Sequence, residues 1–146
     1  MMTGITNPTE EYFKDGIWGW DGTQWRKLSL LFGYSGPYSE APYNTNLPAG
    51  VSNLAGSTVP AGEVWVVQGM LATVISSTCT DLRFGFWNGA DIIICKQVLS
   101  PTSGQFYDYQ GMLVLAAGYY PLIRVYNMTA GDDAFLYIWG YKMEVS

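Results

Sequence analysis

The chain has 146 residues and a formal net charge of -5, with 49% hydrophobic, 16% aromatic and only 13% charged residues. This length fits one globular domain, and the hydrophobic content excludes intrinsic disorder. The scarcity of charge excludes an ordinary helical bundle, whose exposed faces are rich in Glu, Lys and Arg, so the composition predicts an all-β protein.

Residues 1–57 are predicted to form an N-terminal arm. This arm contains a tryptophan-rich hairpin at about residues 16–31. Asp21 and Gly22 lie there between two aromatic segments, and Asp-Gly favours the two-residue type I′ turn of a β-hairpin. Because an isolated hairpin is only marginally stable in water, we expect it to pack on the main domain or on a neighbouring subunit.

The second part of the arm, residues 33–57, is rich in Gly, Pro, Ser and Asn. Its apolar residues follow neither the period of a helix nor that of a long strand. The sequence therefore predicts an extended connector between the hairpin and the domain that follows.

Residues 58–146 contain one alternating segment after another, separated by glycine turns, which is typical of an antiparallel β-sandwich or barrel. In the last segment Phe135, Tyr137 and Trp139 alternate with Leu136 and Ile138. The predicted strands cover residues 63–76, 82–87, 92–95, 105–115, 119–126 and 134–143. Asn88-Gly89 is a second type I′ turn signal.

A short turn with a small residue before glycine recurs ahead of the strands. It is found at Pro48-Ala49-Gly50, Pro60-Ala61-Gly62, Ala116-Ala117-Gly118 and Thr129-Ala130-Gly131. Glycine supplies the positive φ that such turns need, so one turn chemistry is predicted to be used repeatedly within one sandwich.

Catalytic and cofactor chemistry has little support in the sequence. The chain has no histidine, which excludes a Ser-His-Asp or Cys-His arrangement within it. The carboxylates, such as Asp132 and Asp133, lie in predicted turns and strands, where turn capping is their usual role. We therefore expect no enzyme activity, no metal and no cofactor.

Two classes of partner are also disfavoured. The seven Lys and Arg residues are scattered, whereas nucleic-acid grooves and anionic membrane surfaces attract clustered cations. The apolar runs are much shorter than the roughly 18 residues of a membrane-spanning helix. We expect neither nucleic acid nor a membrane as partner.

The two cysteines, Cys79 and Cys95, permit two interpretations. Cys79 opens one strand of a predicted hairpin and Cys95 lies towards the end of the next strand, so a disulfide is one interpretation. The other is a pair of buried free thiols among apolar neighbours.

The aromatic content, with 6 Trp, 11 Tyr and 6 Phe, exceeds what a core of this size needs. Tyr and Trp suit subunit interfaces, and they also suit stacking on sugars. The candidate interface residues lie in the arm: Trp18, Trp20, Trp25, Tyr34, Tyr38 and Tyr43.

Two stretches carry a resemblance to a known class of proteins. The run Trp-Gly-Trp-Asp-Gly-Thr-Gln-Trp-Arg-Lys-Leu at residues 18–28 resembles an N-terminal segment of small structural proteins of tailed bacteriophages. Residues 59–144, from Val-Pro-Ala-Gly-Glu-Val-Trp to Trp-Gly-Tyr-Lys-Met-Glu, are similar to the jelly-roll domains of phage capsid decoration and head-fibre proteins.

This resemblance implies a non-enzymatic virion protein, most simply a capsid decoration or cementing subunit. Its expected partners are other copies of itself and a major capsid protein or another virion protein, and its expected location is the virion. Two alternatives stay open: a protomer of a helical extracellular filament or phage tail structure, and a carbohydrate-binding β-sandwich.

Overall fold

A computed structural model describes residues 17–20, 22–23, 25–28 and 34–144, with backbone only for 17–20 and 25–28. The described residues are all-β. The strands are β1 Ile17–Trp20, β2 Trp25–Leu28, β3 Tyr34–Glu40, β4 Tyr43–Asn44, β5 Gly50–Ala55 and β6 Glu63–Ile75. They continue with β7 Asp81–Trp87, β8 Ile92–Leu99, β9 Phe106–Leu115, β10 Tyr120–Met128 and β11 Asp133–Glu144.

Two sheets form a β-sandwich. Sheet I has the strand order β5-β10-β7-β8, and sheet II has the order β3-β11-β6-β9, with β4 also paired to β11. Successive strands from β5 onward alternate between the sheets, except for the hairpin β7-β8. Together with β3, this gives the eight-stranded order of a jelly roll built from two Greek keys. The predicted fold class is confirmed.

The sandwich begins earlier in the chain than the sequence suggested. Its compact unit extends from Ser35 to Val145, and both β3 and β5 belong to its sheets. Residues 35–57 are therefore part of the sandwich and not an extended connector outside it. The two strands had no visible periodicity because each is short and buries only one side chain, Tyr38 in β3 and Leu54 in β5.

The hairpin of β1 and β2 belongs to a separate unit that comprises residues 1–34. Its strands are antiparallel, with Trp20 opposite Trp25, which confirms the hairpin. That register leaves four residues between the strands, so the expected two-residue turn is wrong. Gly22 still has a positive φ of 98°. Residues 16, 21, 24 and 29–31 of the predicted hairpin lie outside the described residues.

The core lies between the inner faces of the two sheets. Sheet II contributes Met70 and Ile138, and sheet I contributes Phe84 and Ile123, all with 0% exposure. Their neighbours at alternate positions, such as Leu136, complete the same apolar layer. Alternation along each strand therefore fixes which side chains face inward.

Three of the four recurrent glycine turns are confirmed as one turn type, and at the fourth Gly50 has a positive φ of 94°. Gly62, Gly118 and Gly131 have φ between 82° and 94°, and in each turn the residue after glycine donates its N–H to the carbonyl three residues back. This pattern is that of a type II turn, which requires positive φ at its third residue. A turn that the sequence analysis missed, at residues 102–105, has the same bond and the same glycine geometry.

The Asn88-Gly89 loop differs from its expected form. Trp87 pairs with Ile92, so the loop has four residues, and within it only Gly89 has a positive φ. Asn88 caps the loop instead, since its Oδ1 accepts the N–H groups of Ala90 and Asp91 at 2.9 and 2.7 Å.

Gly89→Val is expected to lower the free energy of unfolding by about 1 to 3 kcal/mol, because a β-branched residue is strained at a φ of 91°. Gly36→Val is the matched control. Gly36 lies in β3 with ordinary φ, and no atom lies within 4 Å of the position its Cβ would occupy. Urea denaturation of both variants tests this. Equal losses of stability would contradict the explanation by backbone strain.

Candidate interaction surface

The outer face of sheet II is built from side chains that alternate with the core residues of β11, β6 and β9. Pairing places Phe135 opposite both Tyr43 and Thr73, and Thr73 opposite Phe106. The next row contains Tyr137, Leu71 and Asp108. We call this surface the aromatic face, and its apolar members are Tyr43, Leu71, Phe106, Met112, Val114, Phe135, Tyr137 and Trp139.

Large apolar side chains on the aromatic face remain accessible to solvent. The exposed fraction is 68% for Tyr43, 62% for Phe106, 46% for Tyr137 and 37% for Phe135. With roughly 200 Å² for a whole aromatic side chain, these four expose about 400 Å². A contiguous patch of that size on a soluble protein commonly marks an interaction site.

The rings are held in place by their neighbours. Tyr43 stacks on Phe135 with ring centroids 6.3 Å apart, and Tyr137 lies against Trp139 at 5.8 Å. The indole of Trp139 covers Gly69, where a Cβ would collide with the ring. Fixed aromatic side chains lose little conformational entropy on binding, so the face is preorganised for contact.

A groove of about 240 Å³ opens at one end of the aromatic face. Its walls include Pro42, Tyr43, Leu71, Phe106, Phe135 and Tyr137. Among the side chains of the lining, the tyrosine hydroxyls are the polar groups. The groove therefore suits an apolar side chain better than a ligand that needs many hydrogen bonds.

The outer face of sheet I carries a cluster of polar side chains beside exposed apolar residues such as Leu99. Asp81 Oδ2 accepts hydrogen bonds from Arg83 Nε at 2.8 Å and from Gln97 Nε2 at 2.7 Å. The Arg83 guanidinium lies 4.5 Å from the centre of the Tyr126 ring, and that of Arg124 lies 5.5 Å from it. Hydrogen bonding to Asp81 raises the pKa of Arg83.

The candidate interface residues named from the sequence differ in their exposure to solvent. Tyr43 lies on the aromatic face, and Tyr34 is 44% exposed. Tyr38 does not belong to an interface, because it is only 3% exposed and packs on Trp65 with ring centroids 4.5 Å apart. Burial, together with the nearby Glu40 carboxylate, raises its pKa. The side chains of Trp18, Trp20 and Trp25 lie outside the described residues.

The sequence analysis did not name most of the aromatic face. Phe106, Met112 and Tyr137 were seen as members of alternating strands, but both alternating sets of β11 are apolar. Alternation alone does not show which set faces the core. The usable signal was the size of the side chains, since Ala134, Leu136 and Ile138 face inward and the aromatic residues face outward.

Acidic and amide side chains in the loops form hydrogen bonds that fix the conformation of the loop backbone. Asp132 Oδ2 accepts the hydroxyl of Ser76 at 2.5 Å and the N–H of Thr129 at 2.7 Å. Asn127 Nδ2 donates to the carbonyl of Thr78 at 3.0 Å. Within the part of the chain that the structure describes, no cluster of three acidic or cysteine side chains is placed to hold a metal ion.

Both cysteines are free thiols; Cys79 is buried and Cys95 is half-buried. Burial raises the pKa of each thiol. We expect iodoacetamide at neutral pH to modify Cys79 far more slowly in the native protein than in unfolded protein, because the thiolate is the reactive form. Mass spectrometry of both samples measures this. Equal rates of modification in the native and unfolded samples would contradict the burial of Cys79. The absence of any free thiol in unfolded, unreduced protein would contradict the assignment of both cysteines as free thiols.

Comparison with known proteins gives no family: no protein-family model and no curated protein matches this chain. Among the described residues, no helix has the length and hydropathy needed to cross a membrane.

Proposed function

We propose that this protein is a non-enzymatic structural subunit of a bacteriophage virion, a capsid decoration or cementing protein that associates with itself and with the particle. The observation that carries this proposal is the aromatic face, a preorganised apolar surface on one side of a rigid jelly roll. Such a surface acts by contact area and requires neither a nucleophile nor a cofactor.

The described polar groups support a structural role. Asp132 is engaged by Ser76 and by a turn backbone, and Asp81 is engaged by Arg83 and Gln97. These carboxylates fix the framework of loops and strands. Many copies on a lattice also gain avidity, so each apolar contact can be individually modest.

The proposed location, the virion, rests on the resemblance of residues 18–28 and 59–144 to phage structural proteins.

The N-terminal arm contributes the second part of the proposal. A two-stranded hairpin gains stability from a surface to pack on, and pairing puts Trp18, Trp20 and Trp25 on one face of the ribbon. We propose that this face contacts a neighbouring subunit or the capsid.

Electron microscopy tests the proposed function. Purified protein is added to phage particles that lack it, and we expect extra density at regular positions on the shell. Helical filaments formed by the protein alone, with particles left bare, would contradict the decoration role and favour the filament alternative.

The carbohydrate-binding alternative has one supporting observation, the stacked pair of Tyr43 and Phe135, which resembles a platform for a sugar ring. The lining of the groove offers few hydrogen-bonding groups, whereas sugar sites need several. Binding of the monomeric protein to a glycan array, lost in Tyr43→Ala, would favour this alternative over the virion role.

A further inference from the structure

We infer that the aromatic face is the binding site for a second copy of this chain, with the same face of each copy packed sheet on sheet about a two-fold axis. The inference rests on the proposed function, and it names a second copy of the chain as the partner that binds the aromatic face.

The first argument is area. The four exposed aromatic side chains supply about 400 Å², and Met112 and Val114 are 67% and 61% exposed on the same face. When the half-buried Leu71 and Trp139 are added, the accessible area of the aromatic face approaches that of a standard stable interface, which buries about 800 Å² on each partner.

The second argument is shape. The groove lies at the Phe106 end of β9, and the exposed side chains of Met112 and Val114 lie near the other end of that strand. Phe106 and Val114 are eight residues apart, or about 27 Å along a strand. A two-fold axis that crosses the strands level with Gln110 brings the Met112 and Val114 side chains of each copy over the groove of the other. One face therefore supplies both complementary halves.

The third argument is the distribution of charge. Asp108 and Gln110 are hydrogen-bonded to each other at 3.1 Å on the edge strand β9, and Asp133 is the first residue of β11. Asp108 and Gln110 lie along the β9 edge and Asp133 lies at one end of β11, whereas the large side chains between them on β6 and β11 are apolar and the one polar residue there, Thr73, is buried. An apolar centre with a polar rim is the usual anatomy of a protein–protein interface.

Sedimentation equilibrium of the full chain, without particles, tests the inference. We expect the wild-type protein to dimerise and Phe106→Asp to raise the dimer dissociation constant by at least about tenfold, because the substitution places a charge in an apolar contact of the interface. Leu99→Asp is the matched control, because Leu99 is 71% exposed on sheet I. Val114→Asp repeats the test at the other end of the face should Phe106→Asp fail to fold.

Cysteine crosslinking tests the two-fold arrangement. Chains with Phe106→Cys are mixed with chains carrying Val114→Cys and treated with a short bismaleimide reagent, because facing sheets lie about 10 Å apart, too far for a direct disulfide. A crosslink between the two is expected, whereas Leu99→Cys should not link to either. A monomeric wild-type protein, equal effects of Phe106→Asp and Leu99→Asp, or no link between positions 106 and 114 would overturn the inference. If the dimer inference fails in one of these ways but the protein still decorates particles, the proposed function stands. If the protein dimerises as expected but leaves particles bare, the proposed function is refuted and the dimer inference stands.

Discussion

Phe84→Ala is expected to lower the free energy of unfolding by about 3 to 5 kcal/mol, the usual cost of removing a buried aromatic ring from a core. Phe84 lies in the middle of β7 with 0% exposure. It faces the inner side of sheet II, where Met70 and Ile138 are equally buried. Since small domains are stable by only about 5 to 15 kcal/mol, this single change removes a large part of the total.

The control for this prediction is Phe106→Ala, which removes the same ring from the aromatic face. Phe106 is 62% exposed, so the stability of the monomer should change by no more than about 0.5 kcal/mol. Urea denaturation at low protein concentration compares the two variants without a contribution from association. A loss at Phe106 as large as that at Phe84 would show that the outer ring belongs to the core.

The later strands of the sandwich were predictable from the sequence because long runs of β-branched and aromatic residues lie between glycine turns. β6 and β11 have 13 and 12 residues, so each run was visible as a strand although its two alternating sets are both largely apolar. The glycine turns were predictable for a similar reason, since positive φ at Gly62 and Gly118 limits the choice of residue.

The first strands of the sandwich were not predictable in the same way. β3 contains Pro37 and buries only Tyr38, so its sequence has the composition of a loop. Its place in the fold depends on pairing with β11, almost one hundred residues later in the chain. Tyr38 was consequently interpreted as a surface residue, although Trp65 covers it.

The aromatic face was only partly predictable. The sequence showed an excess of aromatic residues and placed the candidate interface in the arm, where Tyr43 is the residue that the structure assigns to this face. The remaining members come from β6, β9 and β11. Register brings Phe135 and Phe106 to either side of Thr73, and neither strand alone contains that information.

Deleting residues 1–30 is expected to leave a folded sandwich that no longer assembles on particles. The compact unit of the sandwich begins at Ser35, so the truncated chain keeps every strand of the jelly roll. Differential scanning calorimetry should still show a cooperative transition. An assembly assay with purified particles should show the loss of binding, because we propose that the arm makes mostly intermolecular contacts.

Replacing Trp18 and Trp25 together by alanine should reproduce the loss of assembly without removing the arm. Both residues lie on one face of the β1-β2 ribbon, and Leu28→Ala on the other face is the matched control. Tryptophan anchors dominate many interfaces, so the double variant should weaken assembly by at least about tenfold and change the melting temperature much less. If truncation abolishes the unfolding transition, the arm stabilises its own domain; if the truncated chain still assembles, the arm is not the anchor.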